Sequence, residues 1–558
     1  MKINLTTTTS FYILYFLIAI VYTAGLFIPV MESDSAQHAT MAMRMVLNND
    51  FIHLYKGVDP YLDKPHMHFW LAAISMKIFG INHVAYRIPA LLFTLLGAYS
   101  CYRLFNDLYK NKSFSHAAAA IFLTSQTIIL ANHDVRTDAV LTGAVIFSIW
   151  QLNSYLQRQS YKSIILGALG SAIAFSTKGH LGIFVIGLSI LCQIIYTKNY
   201  KPLISLKTLV GLGFFVLGIT PVLYAFYIQF DLHPEIMINE TNNHSGLKFI
   251  LWDHSFNRMA AKDFQKSNDN FFFFHSLLWV FFPWSIAYYI GTFETIQKIV
   301  KRKKLIEILS IGGSFITLVL ISFSKSKLPH YLNSLIPLMS IFVAGYFLSL
   351  KQLNKTKTIN FFLGLSYFIA VISCLAIIGL YLIRFNTTIS VTTITGTLIL
   401  VGLSIILISQ TTTKSSKLII TSCVATILLN FNLNTYFYPN LLKYQSGESI
   451  ANYIHNNTNL NHLPIHQFNN EYKWSLDFYL QKNIDVIQLE NSKFPITPFL
   501  SVTNNYEELK PKLNMLGFKS EIIQTFKDYK VSRLSLKFLN SNKRDSQLEK
   551  SFLIKVYK

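Results

Sequence analysis

Acidic and basic side chains lie in a few short polar segments between long apolar stretches of this chain. The segments richest in carboxylates, cations and imidazoles are residues 32–38, 60–70, 133–138, 178–180, 252–258 and 324–331. A carboxylate accepts a proton or orients a nucleophile, and cations stabilise the negative charge that develops on a departing phosphate. These residue types therefore suit a reaction in which an anionic phosphate is the leaving group.

The composition indicates what kind of protein must position these residues. Of the 558 residues, 52% are hydrophobic and 14% are charged, whereas a soluble globular protein has about 25% charged residues. This excludes an ordinary cytosolic enzyme, a disordered protein and a disulfide scaffold, and it indicates a polytopic membrane protein. The formal net charge of +22 reflects a shortage of acids, so we expect membrane lipids as partners rather than nucleic acid.

Long apolar stretches predict the membrane-spanning helices. A hydrocarbon core about 30 Å thick requires about 20 apolar residues per helix. By this criterion the sequence predicts thirteen spans, at residues 10–31, 84–104, 115–131, 139–157, 163–177, 180–197, 208–230, 271–296, 306–323, 331–350, 360–383, 389–409 and 418–438. The first stretch is too long for the apolar region of a signal peptide, so we interpret it as an uncleaved anchor.

Basic residues predict the orientation of these spans. Every second connection is basic, and together these connections carry 17 Lys and Arg residues against one acid, Asp107: residues 105–116, 157–162, 198–207, 298–304, 351–357 and 411–417. The positive-inside rule places such connections in the cytoplasm. The polar segments and everything after residue 438 are then expected on the outer side.

Two domains follow from this arrangement. Residues 1–438 are predicted to form the transmembrane domain, with the site carried by the outer loops at 32–83 and 231–270. Within the first loop, residues 40–47 predict an amphipathic helix at the membrane surface, with Arg44 on its polar face. Residues 439–558 predict a small extracytoplasmic α/β or α+β domain, with strands at 484–489, 499–502 and 552–557 and a helix near 505–515.

The polar motifs also carry a family resemblance, which covers roughly residues 10–345. The chain resembles the bacterial polyprenyl-phosphate-dependent glycosyltransferases of the GT-C fold, the group that contains the lipid A 4-amino-4-deoxy-L-arabinose transferases and is related to the protein O-mannosyltransferases. The motifs follow the family's order: Asp34, Asp63-Lys64-Pro65, Phe79-Gly80, Arg87-Ile88-Pro89, Arg136-Thr137-Asp138, Thr177-Lys178-Gly179, His254 to Arg258, Phe282-Pro283-Trp284-Ser285 and Lys327 to Tyr331.

The resemblance implies an all-α membrane fold of the GT-C type and an inverting glycosyltransferase in the bacterial inner membrane. It implies a periplasmic active site and C-terminus, a sugar donor linked to undecaprenyl phosphate, and lipid A or another envelope acceptor. The residues that match the family's functional positions are Asp34 and Asp138 as catalytic carboxylates, Asp34 as a base or an acceptor-orienting group, Lys64, Arg258 and Lys178 as ligands of the donor phosphate, and Asp63 and His254 as ligands of a possible divalent metal. No other cofactor is implied.

Departures from the family pattern leave the sugar and the acceptor open. The family usually has Asp-Glu-Ala-Arg-Tyr where this chain has Asp34-Ser35-Ala36-Gln37-His38, and its Pro-Pro is here Pro65-His66. Two other functions remain as alternatives, a protein O-glycosyltransferase and a transporter or flippase for lipid-linked sugars. A transporter is expected to carry its ionisable residues at mid-span, in broken helices of two related halves.

Single residues also have structural interpretations. Asp34 could cap a helix, Lys178 could cap a hairpin, and Lys64 and Arg258 could anchor the chain at the membrane surface. We expect the remaining outer cations and imidazoles to be membrane-surface residues, namely Lys325, Lys327, His66, His68, His133 and His330.

Overall fold

The computed structural model describes residues 7–238, 241–253, 268–385, 388–468, 472–489, 494–495 and 497–558. Within these residues, nine helices are long and apolar enough to cross a membrane: Thr8–Leu26, His83–Tyr109, Asp138–Arg158, His180–Thr197, Leu206–Asp231, Pro329–Gln352, Thr356–Leu382, Val391–Gln410 and Lys414–Tyr444. The chain is therefore a multi-span membrane protein, as its composition predicts.

The other four predicted spans are helical but shorter, more polar or interrupted. Thr124 and Ser125 bond back to the carbonyl groups of Ala120 and Ile121, and the helix that begins at Lys112 ends there. The helices concerned are Lys112–Leu123, Gln126–Leu130, Tyr161–Lys178, Phe272–Val280, Ser285–Val300 and Leu309–Ser322, with Pro283 in the interruption between the fourth and the fifth. The total of thirteen spans stays a prediction.

Small residues let neighbouring spans approach closely. A Cβ atom added at Gly143 would overlap the carbonyl oxygen of Phe93, so the helices His83–Tyr109 and Asp138–Arg158 touch at this point. Close contact of this kind stabilises helix pairs in lipid, where burying apolar side chains gives little advantage. It also fixes the ends of these helices, which carry the polar segments.

The first outer loop contains two helices and a short hairpin. The helix Asp34–Asn48, called the loop helix below, is followed by strands β1 (Tyr55–Lys56) and β2 (Asp59–Pro60) and by the helix Met67–Phe79. The predicted amphipathic helix is therefore present and begins earlier than expected. Its Arg44 does not face water or headgroups, because the guanidinium is buried against the C-terminal region.

The C-terminal region folds around a five-stranded sheet with the strand order β4-β3-β5-β7-β6. Strand β3 pairs in parallel with β4 and β5, whereas β7 pairs antiparallel with β5 and β6. The strands are β3 (Ile465–Phe468), β4 (Asp485–Ile487), β5 (Phe499–Thr503), β6 (Lys519–Asp528) and β7 (Glu549–Tyr557), and the main helices are Ser446–His455, Trp474–Leu480 and Tyr506–Met515. The small sheet domain expected from the sequence is thus present, with two more strands than predicted.

Candidate active site

The functional residues predicted from the sequence lie at the ends of helices that meet on one side of the bundle. Asp34 begins the loop helix and Asp138 begins the helix Asp138–Arg158, where the helix dipole favours an acid. Lys178 ends the helix Tyr161–Lys178, where the dipole favours a cation. Since consecutive helices run in opposite directions, these ends lie together, and the basic connections lie at the opposite ends.

Asp34 belongs to a three-residue ion-pair chain. Its Oδ2 lies 2.9 Å from the guanidinium of Arg136, which also contacts Asp134 at 2.7 Å. Burial alone would lower the pKa of Arg136, but the ion pairs with Asp134 and Asp34 outweigh burial and raise it. The Asp34 side chain is 55% exposed, so its carboxylate is held in place and is still accessible to a substrate.

Asp138 and Lys178 form a second and deeper ion pair. The Lys178 Nζ lies 2.7 Å from Asp138 Oδ1, and both side chains are at most 5% exposed. The Lys178 ammonium also lies 5.2 Å from the ring centroid of Tyr331. A buried carboxylate of this kind requires its cation, so Lys178 fixes the charge and the direction of Asp138.

The motif Asp63-Lys64 contributes a third pair. The Lys64 Nζ lies 3.2 and 3.3 Å from the two carboxylate oxygens of Asp63, and the Tyr61 hydroxyl donates to Asp63 at 3.2 Å. Burial holds the pKa of the neighbouring His38 well below its usual range, and the charges of Lys64 and Arg136 lower it further. Lys64 and Arg136, and with them the first and third ion pairs, therefore lie near the buried imidazole of His38.

Sequence analysis missed the burial of two histidines near these ion pairs. The rings of His38 and His68 lie 5.5 Å apart, and burial lowers the pKa of His68 to about 4. Both imidazoles are therefore neutral at pH 7. Their Nδ1 atoms are buried and have no hydrogen-bond partner among the described residues. Buried polar atoms in proteins are usually hydrogen-bonded, so these two nitrogens are exceptions within the described structure.

The membrane-surface interpretation of several residues is wrong. The structure buries these side chains inside the protein, so they do not face lipid headgroups. They are His66, His68, His133 and Lys327, with exposures of 0%, 2%, 1% and 8%. His330 is partly buried beside Tyr331, whereas Lys325 is exposed as expected.

Two residues predicted to bind the metal and the donor phosphate, His254 and Arg258, lie outside the part of the chain that the structure describes. Among the residues that the structure describes, no group of three His, Cys, Asp or Glu side chains could hold a metal ion. Asp63 faces an ammonium group, and it does not make a metal site by itself. The roles of Asp63, His254 and Arg258 therefore stay predictions, and no step below depends on a metal.

The membrane bundle, the paired acids and cations at one end, and the small sheet domain are together the architecture of the GT-C type. A family model described as dolichyl-phosphate-mannose-protein mannosyltransferase matches residues 63–224. Over 97% of both chains, the structure superposes on ArnT from Cupriavidus metallidurans bound to undecaprenyl phosphate, with a TM-score of 0.70 and 14% identity. The fold of the chain is therefore that of ArnT.

Sequence relatives point to the same group. The undecaprenyl phosphate-alpha-4-amino-4-deoxy-L-arabinose arabinosyl transferase of Yersinia enterocolitica is 24% identical over 319 residues, which are 56% of this chain and 55% of the relative. The corresponding protein of Wigglesworthia glossinidia brevipalpis is 24% identical over 363 residues, 63% of this chain and 60% of the relative. The alignments thus cover less than two thirds of these curated relatives. The resemblance expected from the sequence is confirmed.

Proposed function

We propose that the chain is a polyprenyl-phosphate-dependent glycosyltransferase that moves a sugar from undecaprenyl phosphate to lipid A or another envelope acceptor. One observation carries the proposal: accessible Asp34, through Arg136, and the pair Asp63-Lys64 lie near the same buried His38 in a bundle whose fold is that of ArnT. The basic connections lie at the opposite end, which supports a periplasmic site in the inner membrane.

The proposed reaction is a displacement with inversion at the anomeric carbon. The acceptor oxygen forms a bond to this carbon on the face opposite the donor phosphate. The bond between the carbon and the phosphate oxygen breaks, and undecaprenyl phosphate leaves with the electron pair. Lys64, together with Arg258, stabilises the charge that develops on the leaving phosphate.

Asp34 is the group proposed to contact the acceptor. If the acceptor is a hydroxyl group, its proton passes to the Asp34 carboxylate as the new bond forms, a contribution of about 10²–10⁴-fold. If the acceptor is a phosphate, the nucleophile is already anionic and Asp34 orients it. Arg136 holds Asp34 for either task. Asp138 and Lys178, which are buried behind this surface, support the site.

A protein acceptor is the second candidate. It is favoured by the family model that matches residues 63–224, whose description names a protein mannosyltransferase. Flippase function is less consistent with the structure, because the described acid–cation cluster lies at helix ends and not at mid-span.

Mass spectrometry of lipid A and of envelope glycoproteins distinguishes these acceptors. The strains compared are a deletion strain and the same strain complemented with wild type or with Asp34→Asn. We expect one glycan modification to disappear on deletion, to return with wild type, and to stay absent with Asp34→Asn. Loss of a sugar from lipid A identifies a lipid acceptor, and loss from a glycoprotein identifies the second candidate. Unchanged lipid A and glycoproteins in the deletion strain would contradict the proposal.

A further inference from the structure

The segment that leads into Asp34 is held by the C-terminal region. The side-chain amide of Gln445 donates to the carbonyl oxygen of Val30 at 2.8 Å and accepts from the backbone N–H of Glu32 at 2.8 Å. The backbone N–H of Val30 donates to the Tyr479 hydroxyl at 3.0 Å. Residues more than 400 positions away in sequence therefore fix the backbone immediately before Asp34.

Glu32 adds a side-chain contact to the same region. Its Oε1 accepts the backbone N–H of Ser475 at 2.6 Å, in the first turn of the helix Trp474–Leu480, called the docking helix below. The first N–H groups of a helix have no partner within the helix, and a carboxylate there is also favoured by the helix dipole. Burial raises the pKa of Glu32, although the hydrogen bond from the Ser475 backbone N–H partly opposes this rise.

The docking helix is fixed to the loop helix at further points. Thr40 donates its hydroxyl to the carbonyl oxygen of Trp474 at 2.8 Å. Arg44 pairs with Asp477 at 2.9 Å, and the two side chains are 10% and 0% exposed. Because these contacts hold the two helices together without Glu32, losing the Glu32 carboxylate should loosen the segment before Asp34, which Gln445 and Tyr479 still contact, and leave the domain docked.

We propose that Glu32 is a positioning residue that holds the Asp34 segment against the docking helix, so that the C-terminal region forms part of the support of the active site. This inference rests on the function proposed above. Asp34 lies two residues after Glu32, and among the described residues its carboxylate pairs with Arg136. A misplacement of about 1 Å in a catalytic group can slow turnover by about 10²-fold.

Three variants test this role in the full-length protein reconstituted in lipid. Glu32→Ala removes the acceptor of the Ser475 N–H, Glu32→Gln keeps an acceptor oxygen of the same shape, and Thr40→Val removes one bond across the same interface. Hydrogen–deuterium exchange of peptides covering residues 28–38 reports how firmly the backbone of this segment is held. Release of undecaprenyl phosphate from a panel of synthetic undecaprenyl-phosphate sugars that includes aminoarabinose, with lipid A as acceptor, reports transfer.

We expect Glu32→Ala to raise exchange in residues 28–38 and to lower kcat about 10- to 100-fold, while the KM for the donor changes less than about twofold. Glu32→Gln should restore both readouts, and Thr40→Val should change neither. If Glu32→Ala is not recovered folded, Gln445→Leu, which removes the two bonds on the other side of the segment, should give the same result.

Two outcomes would overturn the inference. One is unchanged exchange or a wild-type kcat in Glu32→Ala, and the other is an equal loss in Glu32→Ala and Thr40→Val. If the wild-type protein releases no undecaprenyl phosphate, the proposed function fails, whereas the exchange comparison still decides whether Glu32 holds the segment.

Discussion

Replacing Lys178 by Met tests whether the buried Asp138 carboxylate depends on Lys178 for its stability. The substitution removes the cation that lies 2.7 Å from Asp138 and keeps a side chain of similar length. It leaves a carboxylate that is 5% exposed without its partner in the described structure. The second change, Asp138→Asn in the same chain, then removes the unpaired charge.

The burial of the ion pair determines how much the free energy of unfolding should fall. Removing one partner of a buried ion pair costs about 3–5 kcal/mol, because the remaining charge is left uncompensated. The contact between the Lys178 ammonium and the Tyr331 ring adds about 0.5–2 kcal/mol. We therefore expect Lys178→Met to lower the free energy of unfolding by about 3.5–7 kcal/mol. The double variant should recover most of this loss, because replacing both partners by neutral groups is often nearly neutral.

Equilibrium unfolding in mixed micelles, followed by tryptophan fluorescence, measures these differences, with Lys325→Met as the control for an exposed cation on the same side. The double variant should be stable but should transfer little sugar, since the pair of Asp138 and Lys178 supports the site. Equal stability of Lys178→Met and Lys325→Met would refute the view that Asp138 depends on Lys178.

Two further predictions concern the binding of the donor phosphate and the orientation of the chain in the membrane. Lys64→Ala should lower transfer about 10- to 100-fold, because a charge-assisted hydrogen bond to the leaving phosphate contributes about 1.5–3 kcal/mol. Lys325→Ala should leave transfer unchanged, and equal effects of the two substitutions would contradict a specific phosphate contact. A cysteine in place of Ser520 should react with an impermeant maleimide in intact spheroplasts, and one in place of Arg302 should react only after permeabilisation. The reverse labelling pattern would invert the proposed topology.

The sequence predicts the location of the site better than its internal contacts. Apolar stretches and basic connections are local features, so Asp34, Asp138 and Lys178 are correctly expected at the same end of the bundle. The pairing of Asp34 with Arg136, and the Nδ1 atoms of His38 and His68 that have no partner among the described residues, depend on how separate loops pack. No sequence spacing encodes those contacts.

Two features of the fold are not predicted from the sequence, strand β6 and the burial of Arg44, and each has a physical reason. Strand β6 is exposed along most of its length, so it lacks the apolar alternation that marks a half-buried strand. Arg44 has the spacing of a polar face on an amphipathic helix, but its partner Asp477 is 433 residues away. A distant partner of this kind turns a residue expected at the membrane surface into a buried one.

Release of undecaprenyl phosphate by the purified, lipid-reconstituted protein distinguishes a glycosyltransferase from a flippase. The substrate is a panel of synthetic undecaprenyl-phosphate sugars that includes aminoarabinose, with lipid A as acceptor, and the wild-type protein is compared with Asp34→Asn. We predict that the wild-type protein releases undecaprenyl phosphate from one donor, and that Asp34→Asn binds this donor but releases little. A wild-type protein that releases none, yet moves intact donor across the bilayer, would contradict the account and identify a flippase.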